Sequence, residues 1–481
     1  MLAQTQVPDY ATTTDATLQG LLQRQREGFL RDGPPSYAQR RAALKSLLAA
    51  VLARQEVLAV AVSADFGNRS RHETLLAEIY TISAGIRHNL RHLRGWMRPR
   101  RVPVPLDFQP GRARVIRQPL GVVGIISPWN YPVQLAILPL VGALAAGNRV
   151  LIKPSEITPR TSQALADLLG SVFPPDQVAV VQGGRDVGEA FSRLPLDHLL
   201  YTGSTAVGRK VMQAAAANLT PVTLELGGKS PVLIGPDARM RPAADSIVAG
   251  KLLNAGQTCI APDYVLVPEG RREEFVAQAR QAAAHFYPTV QDNPDYTSIV
   301  NDRHWQRLTG YLDEARKRGS QVVDAGPAGE QPSAATRKLP LHLILDPREE
   351  LGAMREEIFG PVLPVLTYRN LDEAIAYVNG RPRPLALYYF GEDRADRNRV
   401  LSRVVAGGVC VNETLYHVAL EGLPFGGVGE SGMGAYHGQA GFDTFTKQTP
   451  VFLQSRLNAA NLIRPPYGKL FGMVMKTLVR G

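Results

Sequence analysis

The stretch GVVGIISPWNYPVQLAILPLVGALAAGNRVLIKPSE, residues 121–156, decides the predicted fold. Its two short apolar runs, GVVGII and RVLIK, predict buried strands, and QLAILPLVGALAAG between them predicts a buried helix. Two buried strands joined by a helix are typical of a βαβ unit in a parallel sheet. Polar residues follow each strand directly, so they are expected at the carboxyl edge of the sheet, where open α/β proteins bind ligands.

The same alternation continues on the C-terminal side of this unit. Apolar runs and helical patterns follow one another as far as VTLELGG (222–228), and a second alternating block opens with SPVLIGPDA (230–238). In that block, MRPAADSIVAGKLLNAGQ (240–257) predicts a helix that leads directly to Cys259. Residues 15–95 have helical periodicity, and the proline-rich segment after them predicts an extended connector. An α/β protein with two lobes and shared arms is therefore expected.

Composition and charge place the chain among ordinary globular proteins. The 481 residues are 44% hydrophobic and 20% charged, and the formal net charge is +11. Much of the positive charge lies in 91–117, which has eight arginines and a single acid, Asp107. Nucleic-acid contact, an anionic membrane surface and a solvated arm between lobes all fit a basic run. Only Trp96 and Phe108 offer rings for base stacking, and the prolines favour a connector, so we prefer the solvated arm.

Cysteine content and hydropathy predict the compartment. Two cysteines in a chain of this length cannot form a disulfide framework, which fits a reducing environment. The start MLAQTQVPDYATTTD has neither the basic nor the apolar region of a secretory leader. No apolar run reaches the ~18 residues of a membrane span. We therefore expect a cytoplasmic protein without nucleic-acid partners.

Cys259 is the strongest candidate for a reactive group. It follows a polar break in LNAGQTCIAP (253–262), whereas Cys410 lies in an apolar run, where a core position is expected. The thiolate is the nucleophilic form of cysteine, so Cys259 needs a nearby base or a lowered pKa. Glu225 interrupts the apolar strand VTLEL, and a partly desolvated carboxylate is a suitable general base. The alternation of side chains along a strand equally allows Glu225 to face solvent.

Asn130 and the turn YTGSTAVG (201–208) are weaker signals. The Asn130 amide follows the strand GVVGII and has the donors to hold an oxyanion, although asparagine is also a common turn former. Gly203 and Gly208 permit a phosphate to approach a helix start, or simply form a tight strand–helix connection.

The tetrapeptide KPSE (153–156) follows the strand RVLIK. Its Lys153 and Glu156 are spaced to hold the two hydroxyls of a ribose, and the carboxylate would repel a 2′-phosphate, which favours NAD over NADP. A local surface ion pair is the alternative. His88 and His92 have the i, i+4 spacing of paired metal ligands, but the sequence offers no third ligand for them. No metal site is therefore predicted.

Seven motifs together occur in the order and at the separations of one known family. They are SPWNYP (127–132), KPSE (153–156), YTGSTAVG (201–208), TLELGGKSP (223–231), NAGQTC (254–259), EEIFGPVLPV (356–365) and PFGGVGESGMG (424–434). On these motifs the chain resembles the NAD(P)-dependent aldehyde dehydrogenases over nearly its full length. GQTCIAPDYVLV and GMGAYHG resemble the shorter class 3 branch, and SADFGNRSRHETLLAEI is most similar to bacterial coniferyl-aldehyde dehydrogenases.

The resemblance implies two Rossmann-like three-layer α/β/α lobes and a β-arm for oligomerisation. It implies an NAD(P)-binding domain over 1–96 and 119–226, a catalytic domain over 227–412, an arm over 97–118 and 413–450, and a basic C-terminal tail over 451–481. Class 3 relatives are typically dimers, so a homodimer is expected. Some fatty-aldehyde relatives have a C-terminal membrane anchor. The final KLFGMVMKTLVRG is too short for a span but leaves a weak interfacial contact open.

The resemblance also implies a role for each motif residue. Cys259 attacks the aldehyde carbon, Asn130 and the Cys259 N–H hold the oxyanion, and Glu225 activates the water that releases the acid. The implied cofactor is NAD or NADP. Lys153 and Glu156 hold its adenosine ribose, and Trp129 and Ser204 contact its pyrophosphate at the turn of Gly203 and Gly208. Leu226 binds its carboxamide, and Glu357 and Phe359 position its nicotinamide.

The expected substrate is a hydrophobic or aromatic aldehyde, with coniferyl aldehyde preferred and a fatty or medium-chain aldehyde as the alternative. A CoA-acylating variant resolves the thioacyl enzyme with a thiol and needs no activated water, so Glu225 favours hydrolysis. A non-catalytic scaffold that uses the basic arm and tail is the remaining alternative. The joint presence of nucleophile, base, amide donor and ribose clamp argues against it.

Overall fold

The computed structural model describes residues 13–458 and 464–480. The stretch 1–12, for which the sequence indicates no secretory leader, lies outside the described residues, as do 459–463 and Gly481 of the predicted tail. Three β-sheets with helices around them make up the described part, which confirms the predicted α/β class.

Strands and helices alternate along most of the chain. The strands are β1 (Arg100–Val102), β2 (Arg112–Pro119), β3 (Val122–Ile126), β4 (Arg149–Lys153), β5 (Val178–Val180), β6 (His198–Gly203), β7 (Val222–Leu226), β8 (Pro231–Ile234), β9 (Tyr264–Pro268), β10 (Gln321–Asp324), β11 (His342–Leu345), β12 (Val362–Tyr368), β13 (Ala386–Phe390), β14 (Gly408–Val411), β15 (Gly432–Met433) and β16 (Thr446–Leu453). The α-helices are α1 (Asp15–Asp32), α2 (Tyr37–Ala53), α3 (Gln55–Phe66), α4 (Arg71–Thr74), α5 (Thr81–Trp96), α6 (Gln134–Ala146), α7 (Pro159–Gly170), α8 (Arg185–Ser192), α9 (Thr205–Ala216), α10 (Met240–Leu252), α11 (Arg272–Phe286), α12 (Asp302–Lys317), α13 (Gly352–Arg355), α14 (Leu371–Asn379), α15 (Arg394–Arg403), α16 (Tyr416–Ala419), α17 (Gly438–Thr444) and α18 (Lys469–Arg480). A π-helical turn spans Leu75–Tyr80, and 3₁₀ turns span Leu106–Phe108, Leu253–Gly256 and Gly429–Ser431.

The sheet of the N-terminal lobe has the strand order β15-β7-β6-β3-β4-β5. Strands β3 to β7 are parallel, and β15 closes one edge as an antiparallel strand. The order reverses between β3 and β6, and loops that leave the carboxyl ends of such neighbours bound a ligand crevice. The loop after β3 contains Trp129 and Asn130, and the turn after β6 contains Ser204. The two predicted segments therefore flank one crevice.

The sheet of the second lobe has the order β10-β11-β12-β9-β8-β13-β14, parallel except for the edge strand β10. Cys259 lies between α10 and β9, and Glu357 lies between α13 and β12. Both residues thus precede their strands, at the amino edge of this sheet. The two lobes, each a Rossmann-like parallel sheet with helices, contribute opposite sheet edges to one region.

Helix α6 anchors the Asn130 loop in the core. All 13 of its residues are buried, including Leu140 and Leu144, because the helix packs between β3, β4 and the helices α2, α5 and α17. Each fully buried leucine of this kind contributes about 1.5–3 kcal/mol relative to an exposed one. The loop before α6 is therefore held by a rigid support.

The three-stranded antiparallel sheet β1-β2-β16 stands where the arm is predicted, but its boundaries differ from 97–118 and 413–450. Strand β16 runs to Leu453, into the predicted tail, whereas β15 pairs with β7 and α17 packs on α5 and α6. The reason is apolar burial, since Phe442 and Phe445 are fully buried in the core. Seven of the eight arginines in 91–117 are exposed, and Arg117 pairs with Asp443 at 2.7 Å.

Two further differences concern helices. The helix predicted over 240–257 ends at Leu252, because Asn254 and Ala255 adopt left-handed backbone conformations with φ of 54° and 51°. In the tail, α18 exposes Leu470 and Met473 to solvent. Taken singly, none of the described helices has the length and apolar composition to cross a bilayer; α2 and α3 meet that test only as a pair bent by 63°.

Candidate active site

Cys259 lies in a tightly fixed loop between α10 and β9. Gly256 has a φ of 75°, and a Cβ on it would lie 2.5 Å from the main-chain oxygen of Gly360, so only glycine fits there. The side chain of Gln257 holds the loop from within: its Oε1 accepts a hydrogen bond of 2.9 Å from the Val300 N–H. Cys259 itself is partly buried and packs against the main apolar core.

The surroundings of the Cys259 sulfur favour the protonated thiol. Burial raises the pKa of Cys259, and the negative charges of Glu357 and Glu225 raise it further. The main-chain N–H groups of Cys259 and Ile260 hydrogen-bond to the sulfur and act in the opposite direction. Because the thiolate is the reactive form, nucleophilic chemistry at this position requires a base close to the sulfur.

Glu225 is the candidate for this base. The side chain is 2% exposed, so the solvent-facing alternative is wrong; β7 has strands on both sides, with Thr202 and Gly432 opposite Glu225. Within the described residues, neither carboxyl oxygen has a hydrogen-bond partner. Burial raises the pKa of Glu225 well above its ordinary value. A buried, unpaired carboxyl near a thiol can accept a proton from that thiol or from a water that reaches it.

Asn130 connects the β3 loop to the Cys259 loop. Its Nδ2 donates a hydrogen bond of 3.2 Å to the main-chain oxygen of Gln257. Its own main-chain oxygen accepts hydrogen bonds from Arg69 Nη1 at 2.9 Å and from Asn254 Nδ2 at 3.0 Å. A primary amide has two N–H donors, so one remains for a substrate oxygen. Asn130 is thus placed as an oxyanion donor beside the nucleophile candidate.

The turn after β6 is closely packed. A Cβ on Gly203 would lie 2.3 Å from the Tyr201 hydroxyl, and one on Gly208 would lie 2.6 Å from Leu226 Cδ2. Gly208 is therefore required by the contact between α9 and β7, and its part in cofactor binding stays a prediction. Ser204 is the N-cap of α9 and interacts with Tyr201. The start of a helix offers free N–H groups to an anion such as a pyrophosphate.

Lys153 and Glu156 form the local ion pair that is the alternative to the predicted ribose site, and their part in cofactor binding stays a prediction. Lys153 Nζ lies 2.8 Å from Glu156 Oε2, with the lysine side chain 4% exposed and the glutamate side chain 47% exposed. Burial alone would raise the pKa of Glu156, but the hydrogen bond and charge of Lys153 outweigh it and lower the pKa overall. Glu156 thus presents a charged carboxylate at the carboxyl edge of β4, where it can accept hydrogen bonds from ribose hydroxyls.

Glu357 lies against the glycines that follow Glu225. A Cβ on Gly227 would lie 2.0 Å from Glu357 Oε2, so glycine is needed for this approach. Burial raises the pKa of Glu357 to about 8, and Asp263 adds to the effect, whereas the Gly228 N–H opposes it. Within the described part, Glu357 Oε1 has no hydrogen-bond partner. This carboxyl can therefore bind hydroxyl donors of a ligand.

Trp129 and Phe359 form an aromatic wall. Their ring centroids are 5.4 Å apart at an interplanar angle of 70°, and Trp129 also lies 5.0 Å from the ring of His304. Phe359 has a φ of 51°, a strained conformation for a residue with a side chain. The proposed pyrophosphate contact of Trp129 stays a prediction.

The residues between the lobes fit a dinucleotide. A cleft of about 180 Å³ is lined by Thr205, Gly227, Gly228, Lys229, Arg355, Glu357, Arg381, Pro382, Arg383 and Glu430. The exposed Arg355 and Arg383 suit phosphates, whereas Lys229 and Arg381 are already paired with Asp263 and Glu349. The unpaired Glu357 oxygen suits ribose hydroxyls, and Gly227 leaves room beside it. Residues from both lobes contribute to this cleft.

Other candidate residues lie apart from this arrangement. Cys410 is 8% exposed in the core, as predicted, and its sulfur lies 3.1 Å from His417 Nδ1. His92 Nδ1 lies 2.8 Å from the His88 carbonyl oxygen, and both rings are near Trp96. Among the residues that the structure describes, no group of three or more potential metal ligands comes together.

Several groups near Cys259 are absent from the sequence prediction. Lys251 is fully buried, its Nζ lacks a hydrogen-bond partner in the described part, and burial lowers its pKa to about 8. Burial raises the pKa of the Tyr436 hydroxyl, and the charges of Glu225 and Cys259 raise it further. No local pattern connects Tyr436 to Cys259. For Lys251, a charge inside the apolar helix pattern of α10 is a usable signal.

Comparison with known proteins now identifies the family. The model of the "Aldehyde dehydrogenase family" matches residues 4–451. A "Probable coniferyl aldehyde dehydrogenase" of Pseudomonas aeruginosa is 54% identical over 464 residues, which cover 96% of this chain and 96% of that protein. The substrate-bound AldH of Staphylococcus aureus has a TM-score of 0.91 at 37% identity and covers 96% of this chain and 99% of its own. AldA of P. syringae, an indole-3-acetaldehyde dehydrogenase in complex with NAD+ and IAA, has a TM-score of 0.84 at 26% identity, with coverage of 92% and 90%.

These matches confirm the resemblance that the seven motifs predict. They extend over most of the chain, and they agree with the two-lobed architecture and with the cleft between the lobes. The protein is an oxidoreductase that oxidises an aldehyde with a nicotinamide dinucleotide. The chain belongs to the aldehyde dehydrogenase family.

Proposed function

We propose that this chain oxidises a hydrophobic or aromatic aldehyde, preferentially coniferyl aldehyde, to its carboxylic acid, with Cys259 as nucleophile and Glu225 as base. One observation carries the proposal: a buried carboxyl without a hydrogen-bond partner in the described part, Glu225, lies close to a thiol that burial keeps protonated. The Glu225 carboxyl has no purely structural explanation, because unpaired buried polar atoms are costly to a fold.

Acylation uses the residues around the sulfur. Glu225 takes the thiol proton of Cys259 directly or through water, and the sulfur forms a bond to the aldehyde carbon. The carbonyl electron pair moves to oxygen, where the free N–H of Asn130 and the main-chain N–H of Cys259 donate hydrogen bonds. Loss of hydride from carbon restores the carbonyl and leaves a thioester on Cys259. When bound, NAD(P)+ supplies the hydride acceptor.

Deacylation again needs Glu225. The proton that Glu225 took from Cys259 first leaves to solvent. The carboxylate then accepts a proton from water while the water oxygen attacks the thioester carbon. The carbon–sulfur bond breaks, the carboxylic acid leaves, and Glu225 returns this proton to the Cys259 thiolate. A buried carboxyl suits this step, because burial raises its pKa toward the working pH.

The cofactor positions follow from the groups that fit it. Lys153 and Glu156 would hold the adenosine ribose, and Ser204 with the α9 N-terminus would hold the pyrophosphate, beside the turn of Gly203 and Gly208. Glu357 and Phe359 would hold the nicotinamide ribose and ring, and Leu226 would offer its carbonyl. The charged carboxylate of Glu156 supports NAD+ over NADP+.

Two observations support the substrate class. Tyr131, Phe425 and Tyr436 are buried, and the first and last of these lie close to the Cys259 loop. The relative from Pseudomonas aeruginosa is named as a probable coniferyl aldehyde dehydrogenase. Aromatic walls suit an aromatic aldehyde.

The test is a screen of initial rates by NAD(P)H absorbance with coniferyl aldehyde, benzaldehyde, and short and long aliphatic aldehydes, each with and without CoA. We expect the highest kcat/KM with coniferyl aldehyde and the free acid as product. A clear preference for long aliphatic aldehydes would select the fatty-aldehyde alternative. A CoA thioester as the product would select the acylating alternative, and no turnover of any aldehyde would favour a scaffold.

We also propose that two chains pair through the sheet β1-β2-β16, as a homodimer in the cytoplasm. The outer strand β16 exposes Phe452 and Leu453, whose apolar side chains suit a contact with a second copy. Replacement of both apolar side chains by charged ones, in the double variant Phe452→Glu and Leu453→Lys, should give a monomer in size-exclusion chromatography with light scattering. A variant that keeps the wild-type mass would contradict this interface.

A further inference from the structure

A cluster of buried charges lies behind the loops that carry Asn130 and Cys259. Arg69, Glu73 and Glu78 are 2%, 8% and 0% exposed, and the side chains of Arg69 and Glu78 form an ion pair of 3.0 Å. Buried charges are retained only where they are paired and hydrogen-bonded. No step of the proposed reaction uses these three residues, so their contacts must explain them.

Arg69 contacts the Asn130 loop in two ways. Its Nη1 donates a hydrogen bond of 2.9 Å to the main-chain oxygen of Asn130, and its guanidinium lies 4.7 Å from the centroid of the Tyr131 ring. The Tyr131 hydroxyl is in turn 2.7 Å from Thr258 Oγ1. Arg69 is thereby connected to Thr258, the residue before Cys259, through the side chain of Tyr131.

Glu78 fixes the other end of the same loop. Its Oε2 accepts hydrogen bonds from the N–H groups of Val133 at 2.7 Å and Gln134 at 3.0 Å, at the start of α6. These N–H groups lack partners within the helix, so the buried carboxylate satisfies them. Glu78 therefore ties Arg69 to the rigid helix that supports Asn130.

Glu73 binds the second loop. Its Oε1 accepts a hydrogen bond of 3.1 Å from the N–H of Asn254, and its Oε2 accepts one of 2.7 Å from Thr297 Oγ1. Asn254 has a left-handed backbone conformation. Its Nδ2 donates a hydrogen bond of 3.0 Å to the main-chain oxygen of Asn130, which also accepts the hydrogen bond from Arg69. Glu73 lies in α4, and Glu78 lies in the π-helical turn that follows it directly. π-Helical turns are often found at functional sites.

We propose that Arg69, supported by Glu73 and Glu78, is a positioning residue that holds the Asn130 amide in register with the main-chain N–H of Cys259, so that both donate to one substrate oxygen. The inference rests on the proposed function, since it requires that Asn130 bind the oxyanion. Oxyanion donors act only when they are fixed at the position where the charge develops. The cluster supplies that fixation without touching substrate.

A double-mutant cycle tests this role. We would measure kcat for the wild type, Arg69→Met, Asn130→Ala and the double variant, together with the Kd of NAD+ for each. Arg69→Met should lower kcat about 10- to 100-fold, and the double variant should be about as slow as Asn130→Ala alone, because both changes remove the same interaction. The Kd of NAD+ should stay unchanged in all four proteins. Arg71→Met is the matched control, since Arg71 pairs with Glu56 on the surface.

Each other result is decisive. If the fold loss of kcat in the double variant equals the product of the losses in the two single variants, Arg69 acts independently of Asn130. That result would overturn this inference and leave the proposed function intact. A wild-type kcat for Arg69→Met would also overturn it. If Asn130→Ala alone keeps full kcat, the proposed role of Asn130 and this inference fall together. If Arg69→Met does not fold, Arg69→Lys replaces it in the same cycle. Lysine keeps a charge beside Glu78 but cannot also reach the Asn130 oxygen and the Tyr131 ring. We then expect a smaller loss of kcat that again does not multiply with the loss caused by Asn130→Ala.

Discussion

The side-chain nitrogen of Asn130 lies 3.2 Å from the main-chain oxygen of Gln257, so a hydrogen bond joins two segments that are 127 positions apart. The first segment follows β3 of the N-terminal lobe, and the second precedes Cys259 in the other lobe. The bond fixes the proposed oxyanion donor to the loop of the proposed nucleophile. The two lobes therefore meet at the point where the chemistry is expected.

Removal of the Asn130 amide should slow catalysis without loss of cofactor binding. We expect Asn130→Ala to lower kcat roughly 10²–10³-fold, the usual effect of one missing oxyanion donor. Steady-state kinetics and NAD+ titration check the two parts of this prediction. Asn218→Ala, on a surface asparagine that donates to the Arg193 carbonyl, serves as the control and should be unaffected. A wild-type kcat for Asn130→Ala would contradict the assignment.

The pH dependence of kcat should report Glu225. Burial raises the pKa of this carboxyl, and a base acts only when ionised, so kcat should fall as the pH is lowered through that raised pKa. Glu225→Gln should lower kcat and remove this dependence from the deacylation step, whereas the surface change Glu269→Gln should preserve it. A pH–rate profile of all three proteins is the measurement. If Glu225→Gln keeps both the rate and the profile of the wild type, Glu225 is not the base.

Two adjacent glycines offer a paired test of the cofactor site. A Cβ on Gly227 would lie 2.0 Å from Glu357 Oε2, whereas the nearest atom to a Cβ on Gly228 is 3.6 Å away. Gly227→Ala should therefore displace the Glu357 carboxyl and cost a hydrogen bond to the ribose, about 0.5–1.5 kcal/mol or roughly two- to tenfold in the KM of NAD+.

Gly228→Ala should keep the KM of NAD+ close to that of the wild type. Kinetics at saturating aldehyde, combined with direct titration of NAD+, separate weaker binding from slower chemistry. Equal effects of the two alanine substitutions would show that Glu357 does not hold the cofactor.

Glu156 should set the preference between NAD+ and NADP+. Its carboxylate is charged, because Lys153 lowers its pKa overall against the effect of burial, and it repels a 2′-phosphate. Glu156→Gln should raise kcat/KM for NADP+ relative to NAD+ by roughly five- to tenfold, which corresponds to about 1–1.4 kcal/mol of lost repulsion. Glu189→Gln, on an exposed helix surface, is the control. An unchanged cofactor ratio would place the adenosine ribose elsewhere.

Much of the fold is predictable from the sequence because the buried strands are short apolar runs bounded by polar residues. The runs GVVGII and RVLIK become β3 and β4, which pair in parallel, and the carboxyl-edge rule correctly predicts the place of Asn130 and of Lys153. The same rule does not predict the place of Cys259, because that residue precedes its strand and lies at the amino edge of the second sheet.

Long-range contacts explain the remaining differences. Asn254 and Ala255 leave the helical conformation because Glu73, far away in the sequence, binds the Asn254 N–H. Side-chain alternation leaves Glu225 free to face solvent, but β7 has a neighbouring strand on each edge, and Glu225 is buried in the folded chain. The family resemblance implies an arm over 413–450, and within that segment Phe442 and Phe445 fill a space in the core that only the folded chain defines.

The most direct test of the central claim is mass spectrometry of Glu225→Gln after incubation with coniferyl aldehyde and NAD+. The substitution also slows acylation, but it should slow hydrolysis more, because a thiol ionises without a base far more readily than water does. After a long incubation the protein should therefore gain the mass of the aldehyde less two hydrogens, and peptide mapping should place this acyl group on Cys259. Cys259→Ser in the same background should gain no mass, whereas Cys410→Ser should be acylated normally. An unmodified protein that still forms NADH, or an acyl group on Cys410, would contradict the account.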